Sequence, residues 1–152
     1  MKRYNINNFV FLFVVMCISF SSCKKINGPA IDLGIGESYG GGIVFYILQP
    51  GDHVYDANMQ HGLIAAPNDQ TTAAGVPWLN GSTMATIGTS TAIGYGKANT
   101  DSIISHQGAG SYAASLCKAY NGGGYSDWYL PSKAELYQLN INQIAIGGFS
   151  YN

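Results

Sequence analysis

An apolar run of twelve residues, Phe9 to Phe20 (FVFLFVVMCISF), decides how much of this chain is available to fold. It is too short to cross a bilayer, which takes about twenty apolar residues, and it matches the roughly 7 to 15 of the h-region of an export signal. Met1-Lys2-Arg3 ahead of it supply the positive n-region, and Ser21-Ser22 behind it are small residues of the kind found at a cleavage site. Residues 1–22 are therefore expected to leave as a signal peptide, so that 130 residues remain, the size of one domain with a core of its own. The run also inflates the apolar content of 47%, and no later segment approaches the length of a membrane span.

The small residues lead directly into Cys23, followed by Lys24-Lys25. That order resembles the lipobox of bacterial lipoproteins, with Phe20 where the motif usually carries Leu, and it makes Cys23 the expected lipid-attachment residue and the membrane a partner through that lipid. Cys17 leaves with the signal and Cys23 is consumed by the anchor, so Cys117 alone keeps a thiol and no intrachain disulfide is available. Cys117 follows Leu116 in an apolar helical pattern, which reads as a buried small hydrophobe. Residues 23–38 mix Lys, Asn, Gly and Pro and read as a tether, with the folded domain expected over 39–152.

From Cys23 onward the chain holds five lysines, no arginine and eight carboxylates. This weakly acidic, charge-poor composition lacks the basic stripe that a nucleic-acid partner requires. Two apolar, β-branched segments read as strands: Ile43 to Leu48, opened by Gly40-Gly41-Gly42 and closed by Pro50-Gly51, and Gly62 to Ala66, closed by Pro67-Asn68-Asp69. The Gly-, Thr- and Ser-rich stretch from Gly75 to Gly96 shows no period and reads as loops with short strands. Asn99 to Tyr120 reads as two helical pieces interrupted at Gly108 and Gly110, the second ending before Asn121-Gly122-Gly123-Gly124. Ser132, with Glu135 three residues on, has the spacing of a capping box that starts another helix, with Leu136 and Leu139 on one face.

Chemistry-bearing patterns are sparse. Glycines 34, 36 and 40–42 precede a strand, whereas a dinucleotide fingerprint needs them between a strand and a helix. His53, His61 and His106 stand in no catalytic spacing, and no nucleophile elbow is present, so neither catalysis nor a cofactor is expected. Asp52, Asp56 and Asn58 offer oxygen ligands to a hard cation, but their spacing matches no standard calcium loop and suits turn formation better.

The stretch from Gly124 to Leu136 (GYSDWYLPSKAEL) resembles the signature of the Lcl-type C-terminal domain, the terminal module of a collagen-like bacterial adhesin, long classed as a domain of unknown function. Gly41-Gly42-Ile43-Val44-Phe45-Tyr46 and His61 to Ala66 resemble two further motifs of that family in the same order. The resemblance implies an α+β, C-type-lectin-like fold: a small antiparallel sheet, flanking helices and long Gly-rich loops. It also implies further strands beyond Asn152, so that 39–152 would be the N-terminal part of the domain. Tyr129 departs from the family pattern, which carries Arg there.

By that resemblance the chain is expected to be a non-catalytic cell-envelope lipoprotein of the outer membrane, with a lectin-like module for glycan binding or adhesion; the alternative is a structural envelope protein without sugar specificity. Sugar sites pair an aromatic plate with groups that bond hydroxyls. Trp78 with Asn80, and Tyr125 with Asp127, are the candidates for binding a polysaccharide, while Trp128, beside Leu130 and a helix start, reads as core.

Overall fold

The computed structural model describes residues 15–17, 32–71, 75–81 and 88–148. Its centre is an antiparallel sheet. Strand β1 spans Val15–Cys17, β2 Ser38–Tyr39, β3 Gly42–Ile47, β4 Gly62–Ala65 and β5 Trp128–Tyr129, in the order β2-β3-β4-β1-β5. Helices α1 (Gly96–Gln107), α2 (Ala113–Ala119), α3 (Lys133–Ile141) and α4 (Gln143–Ile146) complete the α+β fold.

The two expected strands form because β-branched and aromatic side chains pack well on a pleated surface, and each supplies residues to both faces. Along β4, Leu63 and Ala65 face one core with Phe45, Tyr129, Leu139 of α3 and Ile146 of α4. Ile64 faces the other, with Val44, Trp128 and Ala113 and Cys117 of α2. The sheet is thus a middle layer between α2 and the α3–α4 pair. Within β3 the pairing jumps from Val44↔Ile64 to Tyr46↔Leu63, so Phe45 is the extra residue of a bulge. Phe45 and Tyr46 consequently both pack on the α3–α4 side.

Three expectations need correction. The stretch assigned to a tether is part of the fold from Asp32 onward. Gln60 donates to the Asp32 carboxylate at 2.8 Å, Leu33 N–H donates back to the Gln60 side chain at 3.0 Å, and Gly36 N–H donates to the Val44 carbonyl at 2.8 Å. Helix α1 begins at Gly96, ahead of the expected Asn99, because its first turn is capped from a distant part of the chain rather than by a local side chain. Leu136 does not share the buried face of α3: it is 43% exposed, while Glu135 and Leu139, four apart, point inward.

Glycine is required where Gly41 meets Gly123. Both have positive φ, and a β-carbon on either would collide with the backbone of the other, which fixes the 122–124 turn against the edge of the sheet. Val15–Cys17, in the middle of the expected signal peptide, pairs antiparallel with both β4 and β5.

Candidate binding site

The candidate residues fall at two ends of α2. Trp78 lies on the 75–81 loop, which is tied to the start of α2 by Ala113 N–H donating to the Pro77 carbonyl at 2.9 Å. Asn80 fastens the same loop to the end of α1. Its backbone N–H donates to Gln107 Oε1 at 2.6 Å, and its amide nitrogen donates to the carbonyls of Gln107 and Ala109, both at 2.8 Å. Both amide hydrogens of Asn80 are therefore committed to protein. Trp78, held between these attachments, is 63% exposed.

Tyr125 and Asp127 follow the other end of α2. Tyr125 N–H donates to the Gly122 carbonyl at 3.3 Å, which anchors it on the glycine turn, and its ring is 39% exposed. It stands close enough to Tyr39 to hold that phenol above its ordinary pKa, a shift owed first to burial and second to Tyr125. Asp127 is half-buried. The two candidate pairs are separated by α2, whose seven residues span about 10 Å.

Trp128 has no part in this surface. It is fully buried, stacks edge-on against Tyr120 with centroids 4.9 Å apart, and donates its indole N–H to the Gly122 carbonyl at 3.0 Å. Tyr129, the departure from the family signature, is buried in the core on the α3–α4 side. Cys117 is also core. Burial pushes its thiol up to about 12, so it stays protonated and unreactive at neutral pH.

Sequence reasoning missed a groove of about 320 Å³ under the loop that joins β3 to β4. Tyr55, Asp56, Asn58, Met59 and His61 line it. Its acidic residue is engaged in a turn, Asp56 Oδ1 accepting from the Asn58 backbone at 2.8 Å. Earlier in the same loop, outside the groove lining, Asp52 accepts from Gln49 N–H at 2.7 Å and from the Tyr46 hydroxyl at 2.9 Å. Burial, and after it the bond to Asp52, raises the Tyr46 phenol to about 12. Among the described residues, no group of three or more His, Cys, Asp or Glu is placed to hold a metal ion. His53 packs on Tyr95 with centroids 4.4 Å apart, and His106 Nδ1 meets the Ser102 carbonyl at 2.8 Å.

Cys23 lies outside the described residues. Among those that are described, no helix is long and apolar enough to cross a membrane. No protein-family model, curated protein or solved structure matches the chain.

Proposed function

We propose that this chain is a non-catalytic lipoprotein of the cell envelope, anchored in the outer membrane through Cys23, whose C-type-lectin-like domain of the Lcl type binds a neutral or weakly charged polysaccharide. The observation that carries the binding reading is Trp78. A large aromatic that is 63% exposed gains little by burial, yet its loop is fastened on both sides by hydrogen bonds from Ala113 and Asn80. A backbone fastened on either side of an exposed ring leaves less conformational freedom to be lost when a ligand stacks on it. Asn80 acts here as the brace of the plate rather than as a donor to sugar hydroxyls. Five lysines and no arginine beyond Cys23 make a densely sulfated ligand a poor fit, because multiple anionic groups call for clustered cations.

The test is a polysaccharide panel followed by titration of the best binder against wild type and Trp78→Ala. Loss of a stacking aromatic costs on the order of 1 to 3 kcal/mol by analogy with base stacking, so binding should weaken about tenfold or more. Melting should be unchanged, since surface substitutions usually stay within about 0.5 kcal/mol. Raising salt should matter little. Unaltered affinity in the variant would move the site elsewhere, and no binding across the panel would favour the structural envelope role.

A further inference from the structure

Helices α3 and α4 are apolar on two opposite sides. The helical turn runs on through their junction, because Asn142 N–H donates to the Gln138 carbonyl at 3.1 Å and Ile146 N–H to the Asn142 carbonyl at 3.2 Å. Glu135, Leu139 and Ile146 are buried, and the Asn142 amide donates to the Phe45 carbonyl at 3.0 Å, so positions 135, 139, 142 and 146 form the inward face. Tyr137, Ile141 and Ile144 each follow an inward position by two residues, which at about 3.6 residues per turn is the far side of the helix. They are 62%, 53% and 88% exposed, with Leu136 beside them at 43%. A solvated helix face is normally charged, yet from Leu136 to Gly148 no residue carries a charge. An exposed apolar strip of this kind marks a contact surface.

What covers it is decided by the anchor and by charge. Asp32 stands nine residues after Cys23 and is held by Gln60 at 2.8 Å. Nine residues reach about 30 Å at most, roughly one domain diameter, so a lipid on Cys23 keeps the domain at the bilayer surface. Leu33 packs on the α2 side of the sheet, whereas at Gly36 a β-carbon would be 3.1 Å from the Ala145 carbonyl of α4. The anchored end therefore joins the fold between the two layers and leaves either one free to turn to the membrane. The layers differ in charge. Beside α2, the exposed Asp101 is paired with Lys118 at 2.7 Å and with Lys97 at 3.4 Å, and such groups stay in water. The α3–α4 side offers Leu136, Ile141 and Ile144 to the acyl boundary and Tyr137 to the headgroup level, where aromatic hydroxyls are favoured. A second copy of the chain is a poorer cover: the helix from Lys133 to Ile146, about 20 Å long and 10 Å wide, falls short of the roughly 800 Å² per partner of a standard interface.

We propose that the outward side of α3 and α4 lies on the lipid surface that holds the Cys23 anchor. The lipid supplies a high local concentration, so a few apolar side chains suffice to hold the domain in this pose. Because α2 lies on the other face of the sheet, the pose turns Trp78, whose loop is tied to the start of α2, away from the bilayer. The proposal rests on the reading of Cys23 as lipid-attached.

The test uses the lipidated protein as exported, reconstituted at high dilution in vesicles of phosphatidylethanolamine and phosphatidylglycerol. Cys117 is buried with an unreactive thiol and Cys23 is occupied by lipid, so Ile144→Cys, or Ser111→Cys at the start of α2, takes a single environment-sensitive fluorophore. At residue 144 emission should shift to the blue, and lipids carrying a nitroxide at the top of the acyl chain should quench it at least about threefold more than at residue 111. Tyr137→Cys should report the same, and Ile141→Asn introduced beside it should cut that quenching by about half or more. Molar salt should leave the signal as it was, since no charge pair is involved. A blue-shifted but unquenched fluorophore means that protein covers the face, another copy or another part of the chain, and overturns the proposal. So does an unshifted one, or equal quenching at 111 and 144. A chain without fatty acid on Cys23 defeats the anchor and the proposal together, whereas a lipidated chain unquenched at 144 defeats the proposal alone.

Discussion

Replacing Glu135 by Ala is expected to cost the domain about 3 kcal/mol or more, a large share of the 5 to 15 kcal/mol that holds a typical domain together. The side chain is fully buried, and its two oxygens serve two helices. One accepts from Ser132 N–H at 2.6 Å and closes the capping box of α3, where the Ser132 hydroxyl in turn accepts from Glu135 N–H at 3.3 Å. The other accepts from Gly94 N–H at 2.8 Å and Gly96 N–H at 3.4 Å, at the first turn of α1. Truncation would leave three donors without this partner and open a void beside Tyr129. Gln at the same position turns one acceptor into a donor facing an N–H, so Glu135→Gln should cost less, about 1 to 3 kcal/mol.

The pair of variants also separates charge from shape. Burial raises the Glu135 carboxyl above its ordinary 4.5, outweighing the hydrogen bonds from Ser132, Gly94 and Gly96 that favour the ionised form. Between the unfolded and folded values the native state binds more protons than the unfolded one, so stability falls as pH rises through that window. The contribution is fully present below the unfolded pKa and lost above the folded one. Asp101 works in the opposite sense, because Lys118 at 2.7 Å lowers its pKa, but it is exposed and its effect is screened. Denaturant melts of wild type minus Glu135→Gln, taken from pH 4 to pH 7, isolate the slope. A difference that is flat or rises with pH would contradict the burial-dominated assignment.

The same carboxylate shows where the sequence stops being readable. Ser132 and Glu135 are three apart, and a capping box is a local device, so its spacing alone announces α3. The second oxygen reaches Gly94 and Gly96, some forty residues away, and no local pattern encodes that contact. For the same reason neither the start of α1 nor the inward face of α3 is legible in the local sequence. Leu136 and Leu139 have helical spacing, but the capping carboxylate claims the inward direction and turns Leu136 toward solvent. Strands β3 and β4 were legible as β-branched runs. A two-residue strand such as β5 carries no period, and a pairing between residues 15–17 and 63–65 has no signature in either segment. Of the candidate site, the exposure of Trp78 followed from the absence of any apolar period around it. The bracing role of Asn80 depends on Gln107 and Ala109, and the groove lined by Tyr55 and Asn58 depends on how a loop folds back, so neither could be read from neighbours in sequence.

Trp128→Ala is expected to be as damaging as the loss of Glu135, at about 3 to 5 kcal/mol, the usual range for deleting a fully buried aromatic. The cost has three sources on the page: the void left between Ile64, Ala113 and Cys117, the lost edge contact with Tyr120, and the Gly122 carbonyl left without the indole donor. Trp128→Phe keeps much of the volume and loses the donor, so it should fall between, at about 1 to 3 kcal/mol. The consequence is not confined to the core. Gly122 to Gly124 carry Tyr125 and press against Gly41 at the sheet edge, so the indole bond also holds one exposed aromatic in place. Chemical denaturation of the two tryptophan variants side by side gives the decisive contrast. Trp128→Ala should shift the midpoint far below wild type, while Trp78→Ala should melt with it. Equal melting of all three would mean that the sheet face under α2 does not depend on Trp128, and that Tyr125 is held by the glycine turn alone.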